Sequence, residues 1–283
     1  MVHALLRKIL GSHNTYRLGR FLYMHSRGDG ANRMSTNGEL MIQRHVVKAT
    51  KDAAYDKLVC FDVGANVGDW SSALLCHCEG LDFPALELHV FEPVPATEEA
   101  LRRRLGQKRS DHYQPLALSS TIGPAAMYVS GETSGTNSLH SSGRNALERP
   151  ISVRKGTVTD FCAANDIQSI HLLKIDTEGH DYDVILGTLP LLKEGRVAAL
   201  QFEYNHRWIF SRHYLKDVFD AIHETPYVLG KVCMDHVEVY DRWHPEHERF
   251  FEANYILMRL DVLSWFPIRH CHADAYNALV ISQ

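Results

Sequence analysis

Four groups of residues stand where an apolar run ends. The first lies in Val59-Cys60-Phe61-Asp62-Val63-Gly64-Ala65-Asn66-Val67-Gly68-Asp69-Trp70. An apolar run that stops at an acid and two spaced glycines, then takes up helical spacing, predicts a buried strand, a tight loop and a helix N-terminus. Gly64 and Gly68 carry no Cβ, so backbone N–H groups there can approach a ligand, and Asp62 can accept a hydrogen bond from an ammonium or hydroxyl. The loop lacks the Gly-Lys-Ser/Thr ending of a P-loop and the third glycine of the dinucleotide fingerprint, which disfavours a pyrophosphate ligand. The second group is Glu92, which closes Ala85–Phe91 about one βα unit later, where a carboxylate can accept two hydrogen bonds from a ribose diol. The third is Asp176 and Glu178, leaving the strand Ser169–Ile175. Ligands of open α/β sheets sit beyond the carboxyl ends of the strands, and an acid sent there from an apolar strand is costly unless used. Glu178 has a second reading, as a cap for the following helix. In the fourth group, Val197–Phe202 delivers Glu203, Tyr204, Asn205 and His206 to the same edge.

These residues require strands alternating with helices, and the pattern provides them. Helices are expected over 69–78, 95–105, 181–193 and 214–223, with a third strand over Tyr113–Ser119. Strands six and seven are expected over Tyr227–Cys233 and Asn254–Arg259, the last inserted antiparallel. The expected fold is α/β and Rossmann-like, a seven-stranded and mostly parallel sheet with helices on both faces. Two helical pieces, 2–24 and 38–55, precede it, which divides the chain into an extension over 1–56 and a domain over 57–283. The extension reads either as a cap over the site or as packing helices. Residues 123–158 break the alternation with a short strand at Ala125–Val129, a polar loop, and Ile151–Val153. A long polar loop in a compact domain is usually functional or mobile, and Ser134, Gly135, Thr136, Asn137 and Ser138 are its candidates for ligand contact.

Composition narrows the partners. With 30 Lys+Arg against 34 Asp+Glu, the net charge of −4 gives no general attraction for nucleic acid or anionic lipid. Eighteen histidines make that charge sensitive to mild acid. None of the six cysteines forms a C-x-x-C pair, and Cys60 lies within an apolar strand, as expected of free thiols in a reducing compartment. Cys76-His77-Cys78 and His270-Cys271-His272 have metal-type residues without a matching second pair and read as structural or surface residues. The N-terminal apolar run is broken by Arg7 and Lys8, short of a signal or spanning segment. The expectation is a soluble, cytoplasmic protein with no membrane or nucleic-acid partner.

Four motifs stand in order: Phe61-Asp62-Val63-Gly64-Ala65-Asn66-Val67-Gly68, Val90-Phe91-Glu92-Pro93, Leu173-Lys174-Ile175-Asp176-Thr177-Glu178-Gly179 and Gln201-Phe202-Glu203-Tyr204-Asn205. Together they resemble the FkbM-type methyltransferases over about residues 57–259. The resemblance implies a class I methyltransferase fold that uses S-adenosylmethionine, usually to methylate a hydroxyl of a sugar or polyketide-derived small molecule. It places Asp62, Gly64, Asn66, Gly68 and Glu92 at the cofactor, and Leu118 and Ser119, by position, beside the adenine. Asp176, Glu178 and Glu203 fall on the acceptor side. His180 stands where family members carry an acid, so that position inherits no catalytic role.

Methyl transfer is an in-line displacement, and orientation alone can supply roughly 7–11 kcal/mol of the barrier. A hydroxyl also needs its proton removed, by a base worth about 10²–10⁴-fold. Asp176, Glu203 and His206 are the candidates for that base; His206 is alternatively an ordinary loop residue. A divalent Mg²⁺ or Mn²⁺ held by Asp176 and Glu203 is a further route. Arg207, Trp208, Arg212, His213 and Tyr214 offer groups for a sugar or, equally, for a contact between copies of the chain. Two other functions are open: a non-catalytic S-adenosylmethionine-binding protein, and an NAD-dependent oxidoreductase on a Rossmann-like core. Acids at both Asp176 and Glu203 argue against the first, and the missing third glycine against the second. Gly64→Val is expected to abolish cofactor binding without unfolding the domain.

Overall fold

The structure is a computed structural model that describes residues 2–30, 33–83, 85–106, 112–131, 135, 137–141 and 148–281, with the side chains of 2–7 excepted. Ser134 and Thr136 lie outside the described residues.

The glycine-loop strand, β1 (Leu58–Val63), pairs in parallel with β2 (Leu86–Phe91) on one side and β7 (Ile170–Ile175) on the other. All six residues of β1 are buried. Successive side chains point to opposite faces: Val59, Phe61 and Val63 enter one core with α6 (Asp181–Lys193) and α8 (Leu215–Ile222). Leu58 and Cys60 enter a second with α2 (Glu39–Asp52) and α3 (Asp69–Gly80). Helices on both faces explain why the strand is apolar throughout rather than alternating. Beyond β7 come β8 (Val197–Tyr204, parallel), β11 (Ala253–Arg259, antiparallel to it) and β9 (Tyr227–Val232, antiparallel to β11). The expected antiparallel insertion of the last strand is therefore present.

The sheet is larger than the expected seven strands. Among the described residues ten strands are hydrogen-bonded together, because β10 (Val237–Tyr240), β12 (Ile268–Ala273) and β13 (Leu279–Ile281) extend it past β9. On β12 Cys271 is buried while His270 and His272 are exposed, so pleat alternation sends the thiol and the imidazoles to opposite faces. On α3, Cys76 is exposed and Cys78 buried.

The expected third strand is split. β3 (Tyr113–Gln114) pairs with β2, and after Pro115, which has no N–H for a ladder, β4 (Ala117–Leu118) joins a different sheet. That second sheet, β4-β6-β5, consists of β4, β5 (Gly123–Val129) and β6 (Arg149–Gly156). Val94, Ala117, Met127, Val129 and Val153 form its own small core. Helix α5 (Val158–Ala164) was not foreseen, although Thr157 caps it by accepting from the Asp160 N–H at 3.0 Å.

The N-terminal extension does not act as one unit. Helix α2 buries Ile42, Val46 and Val47 against α3 and β7, as a packing helix would. Helix α1 (Val2–His25) breaks at Gly11 and is exposed along most of its described length. Its far end rests on residues 246–251, where the Arg249 guanidinium lies 3.8 Å from the Tyr23 ring centre and the Arg20 guanidinium 4.9 Å from Phe251. Neither helix contributes to the lining of the cleft described next.

Candidate active site

At the carboxyl ends of β1, β2 and β7, roofed by the small sheet, lies a cleft of about 760 Å³ including its open mouth. Its walls are Val63, Gly64, Asn66, Phe91, Glu92 and Pro93 on one side, and Asp176, Thr177, Glu178 and His180 on another. Leu116, Leu118, Met127 and Leu139 supply an apolar flank.

Glu92 is buried, and each carboxylate oxygen accepts one backbone N–H: Oε2 from Asn66 at 3.0 Å and Oε1 from Val94 at 2.9 Å. Burial pushes its pKa up and these donors pull it back. The acid thus fixes the glycine loop while keeping lone pairs for a ligand. Asn66 adopts a left-handed backbone, φ 47°, a conformation that asparagine tolerates better than most residues. Its side-chain Oδ1 is buried with no hydrogen-bond partner among the described residues, and so is Thr177 Oγ1. Buried polar atoms are normally satisfied, and both residues line the cleft.

The opposite wall is acidic. Asp176 is about one-third exposed, and its Oδ2 lies 3.0 Å from the Lys174 ammonium. Glu178, also left-handed at φ 57°, pairs with Arg207 Nε at 2.8 Å. Burial and the Asp176 charge push Glu178 up to about 8, with Arg207 pulling the other way. Glu203, whose Oε2 accepts from Asn205 Nδ2 at 2.7 Å, is raised well above the carboxylate range by burial and by Asp176 and Glu178. Asp181, raised to about 7 by burial, takes the N–H groups of Thr177 and Gly179 at 3.3 and 3.1 Å and so closes the turn.

A family model described as the methyltransferase FkbM domain matches residues 62–229, more than half of the 283-residue chain. The chain belongs to the FkbM methyltransferase family. Among solved structures, this FkbM chain is similar to an S-adenosylmethionine-dependent methyltransferase from Agrobacterium tumefaciens, with 7% identity and a TM-score of 0.41 over 78% of this chain and 62% of that one. It is also similar to a candidate RNA methyltransferase from Pyrococcus horikoshii, at 11% identity and a TM-score of 0.35, covering 76% and 81%. A third likeness is to a COG1565-superfamily protein from Burkholderia thailandensis bound to S-adenosylhomocysteine, at 10% identity and a TM-score of 0.26, covering 76% and 56%. At these scores the likenesses are weak. No curated protein matches the chain.

The residues fit the S-adenosylmethionine that FkbM membership implies: an acid for a diol, two orphaned polar atoms, and an apolar flank for a base. Among the residues expected at the cofactor, Glu92, Asn66 and Gly64 line the cleft and Asp62, Gly68 and Ser119 do not. Asp62 is fully buried on the α3 side, where its Oδ2 accepts from the Ser71 hydroxyl at 2.6 Å and Lys174 is its paired neighbour on β7. Strand alternation turned it away from the cleft. Gly64 is glycine for a different reason than expected: at φ 77° a Cβ would stand 1.9 Å from the Asp176 carbonyl oxygen. It permits β1 and β7 to meet, so Gly64→Val should disturb the fold itself. Gly68, at φ 84°, would place a Cβ 2.7 Å from Leu101 of α4 (Pro95–Leu105). Ser119 is buried against His180.

On the acceptor side Asp176 and Glu178 line the cleft, and Glu203 stands beside them. Arg207 touches the site through Glu178. His206 is exposed on the segment after β8 and lines no part of the cleft. Trp208 is wholly buried in the core, its Nε1 donating to the Glu203 carbonyl at 2.9 Å, which leaves no face for a substrate. Thr177, Met127, Leu139 and Lys174 were not foreseen. A lysine inside the apolar run Ile170–Ile175 was the legible signal for the last; Met127 and Leu139 reach the cleft only through the fold of the small sheet.

Proposed function

We propose that this chain transfers a methyl group from S-adenosylmethionine to a hydroxyl of a small molecule of the sugar or polyketide type. The observation that carries this reading is one cleft with a ligand-binding wall of Glu92 and Asn66 facing an acidic wall of Asp176 and Glu178. When bound, S-adenosylmethionine supplies an electrophilic methyl group on a sulfonium. Glu92 accepts hydroxyl hydrogens of a diol, Asn66 Oδ1 and Thr177 Oγ1 take the remaining donors, and Leu116, Leu118 and Met127 exclude water from a base. Asp176 is the carboxylate that takes the acceptor proton at Oδ1 or Oδ2, with Lys174 holding its orientation. Glu203 and Glu178 are both raised by burial and by the Asp176 charge, and Glu178 raises Glu203 further, which favours holding protons in this cluster. A divalent cation at Asp176 and Glu203 would have to displace the Lys174 ammonium, 3.0 Å from Asp176; a magnesium titration in the same assay decides that point.

The test is calorimetric titration with S-adenosylmethionine and with NAD, followed by methyl transfer to a panel of glycosides and polyketide alcohols. The expected result is selective binding of S-adenosylmethionine, with Asp176→Asn binding it within about threefold of wild type and losing at least about 10²-fold in transfer. Binding of NAD alone overturns the reading, and near-normal turnover by Asp176→Asn moves the base elsewhere.

A further inference from the structure

Beside the cleft, on the side away from Glu92, three potential ligands converge that the methyl-transfer reading leaves unused. His140 Nε2 lies 3.0 Å from His180 Nδ1, and His180 Nδ1 lies 3.3 Å from Asp183 Oδ2. All the ligand atoms of this trio fall within 4.8 Å of one another. We propose that His140, His180 and Asp183 bind a borderline divalent cation, Zn²⁺ foremost, which fastens the 137–141 segment to the head of α6.

The spacing suits such an ion. Tetrahedral zinc with bonds of about 2.0–2.1 Å to nitrogen or oxygen keeps its ligand atoms roughly 3.3 Å apart, and the two closest edges here are 3.0 and 3.3 Å. Two imidazoles with one carboxylate favour zinc and its first-row neighbours over magnesium or calcium, which prefer oxygen.

The outer atoms of two ligands are already held. His180 Nε2 stands 3.0 Å from Ser119 Oγ; with its N–H donated there, the lone pair of Nδ1 is directed at the trio. Asp183 Oδ1 accepts from the Ser120 hydroxyl at 2.8 Å, which leaves Oδ2 facing inward. A further imidazole, His213, is at the rim, with Nε2 3.9 Å from Asp183 Oδ2 and Nδ1 3.5 Å from Asp217 Oδ2. It or a water completes a fourth position.

The location gives the ion a consequence. His180 lines the cleft, and Asn137 and Leu139, which flank His140 closely in sequence, line it too. The segment is otherwise tied down by the Ser138 hydroxyl, which donates to the Glu178 carbonyl at 2.9 Å, and by the Tyr128–Ser138 bridge. A cation here anchors the roof to the turn that carries Glu178. A second three-ligand group among the described residues, Cys233, His236 and Glu238, is less suited, because the Arg27 guanidinium already pairs with Glu238.

The full chain, stripped with chelator, is titrated with Zn²⁺ by calorimetry and with Co²⁺ by visible absorption, with Mg²⁺ as a control. One equivalent of Zn²⁺ is expected, with Co²⁺ bands of a four-coordinate site and no heat from Mg²⁺. His140→Ala and His180→Ala should each weaken Zn²⁺ binding at least 100-fold while circular dichroism stays that of wild type. Because His140 lies outside any helix or sheet strand, its variant keeps the test valid if His180→Ala fails to fold. Ser119→Ala, a positioning change, should weaken binding about 10–100-fold and shift the Co²⁺ bands. Absence of Zn²⁺ binding, or binding that survives His140→Ala unchanged, overturns the proposal. No cofactor is present in this titration, so its outcome is independent of whether methyl transfer is found.

Discussion

Asn66 shows how a single side chain can serve two ends. Its left-handed backbone shapes the glycine loop so that its own N–H reaches Glu92, while its amide keeps a buried, unpartnered Oδ1 on a residue that lines the cleft. Asn66→Gly separates these uses, because glycine adopts the same backbone at no steric cost. The variant should melt within about 2 °C of wild type, given the roughly 2–4 °C that 1 kcal/mol represents in a chain of this size, and should bind S-adenosylmethionine at least about tenfold more weakly. Unchanged affinity by calorimetry would remove Asn66 from the site. Trp208 makes the opposite case, a polar-edged aromatic that reads as a sugar platform and is instead core. Trp208→Ala should cost about 3–5 kcal/mol in urea unfolding, whereas Trp208→Phe, with the indole N–H lost, should cost about 1–2 kcal/mol. A purely kinetic defect in Trp208→Ala would return it to the acceptor site.

Among the elements, the parallel pairing of β1 with β7 decides the most. The Gly64 backbone passes so near the Asp176 carbonyl that even Gly64→Ala forces the strand ends apart. The expected loss exceeds about 3 kcal/mol of stability, from the clash together with a non-glycine residue at positive φ. Thermal unfolding compared with wild type checks it; a stable variant that has lost only cofactor affinity would restore the ligand-approach reading. The same pairing places Lys174 between Asp62 and Asp176, which links the strand register to the charge of the acidic wall. The small β4-β6-β5 sheet is the other decisive element, since Leu116, Met127 and Leu139 make the apolar flank only because the chain leaves the main sheet at Pro115.

Across the whole molecule, mild acid should be the condition that weakens the fold. His171 and His247 are buried, and each Nδ1 accepts a backbone N–H, from Val59 at 3.0 Å and from His244 at 2.9 Å. Burial lowers them from the usual 6.5, His171 to about 4 and His247 to about 3. The unfolded chain therefore binds these protons first. The stability they confer is complete above about pH 6.5 and is lost as pH falls through the interval down to 4 and 3. Over that fall His171 contributes roughly 3 kcal/mol and His247 roughly 5 kcal/mol. Urea unfolding at pH 7.5, 5.5 and 4.5 should show the decline, and His171→Gln with His247→Gln should flatten it; an unaltered slope would place the acid sensitivity in other groups. No helix among the described residues is long and apolar enough to cross a membrane.

The order and type of the central elements were legible in the sequence because both faces of the sheet are covered. Burial then imprints a continuous apolar run ending in a polar loop, as at Phe61–Gly64 and Leu173–Glu178. The acids Glu92, Asp176 and Glu178 were legible for the same reason, as the first polar residues after such a run. What the sequence could not determine is which way a side chain turns and what stands opposite it. Asp62 and Glu92 both close a β-strand on paper, yet alternation buries one beneath α3 and opens the other to the cleft. His206 lies in the turn after β8 and Trp208 two residues on, at the start of the short helix Trp208–Ser211, and packing sends Trp208 into the core and His206 to solvent. His140 and His180 are forty positions apart, and only the folding of the small sheet over α6 brings their nitrogens together. Local pattern records burial; the meeting of distant side chains is set by tertiary geometry.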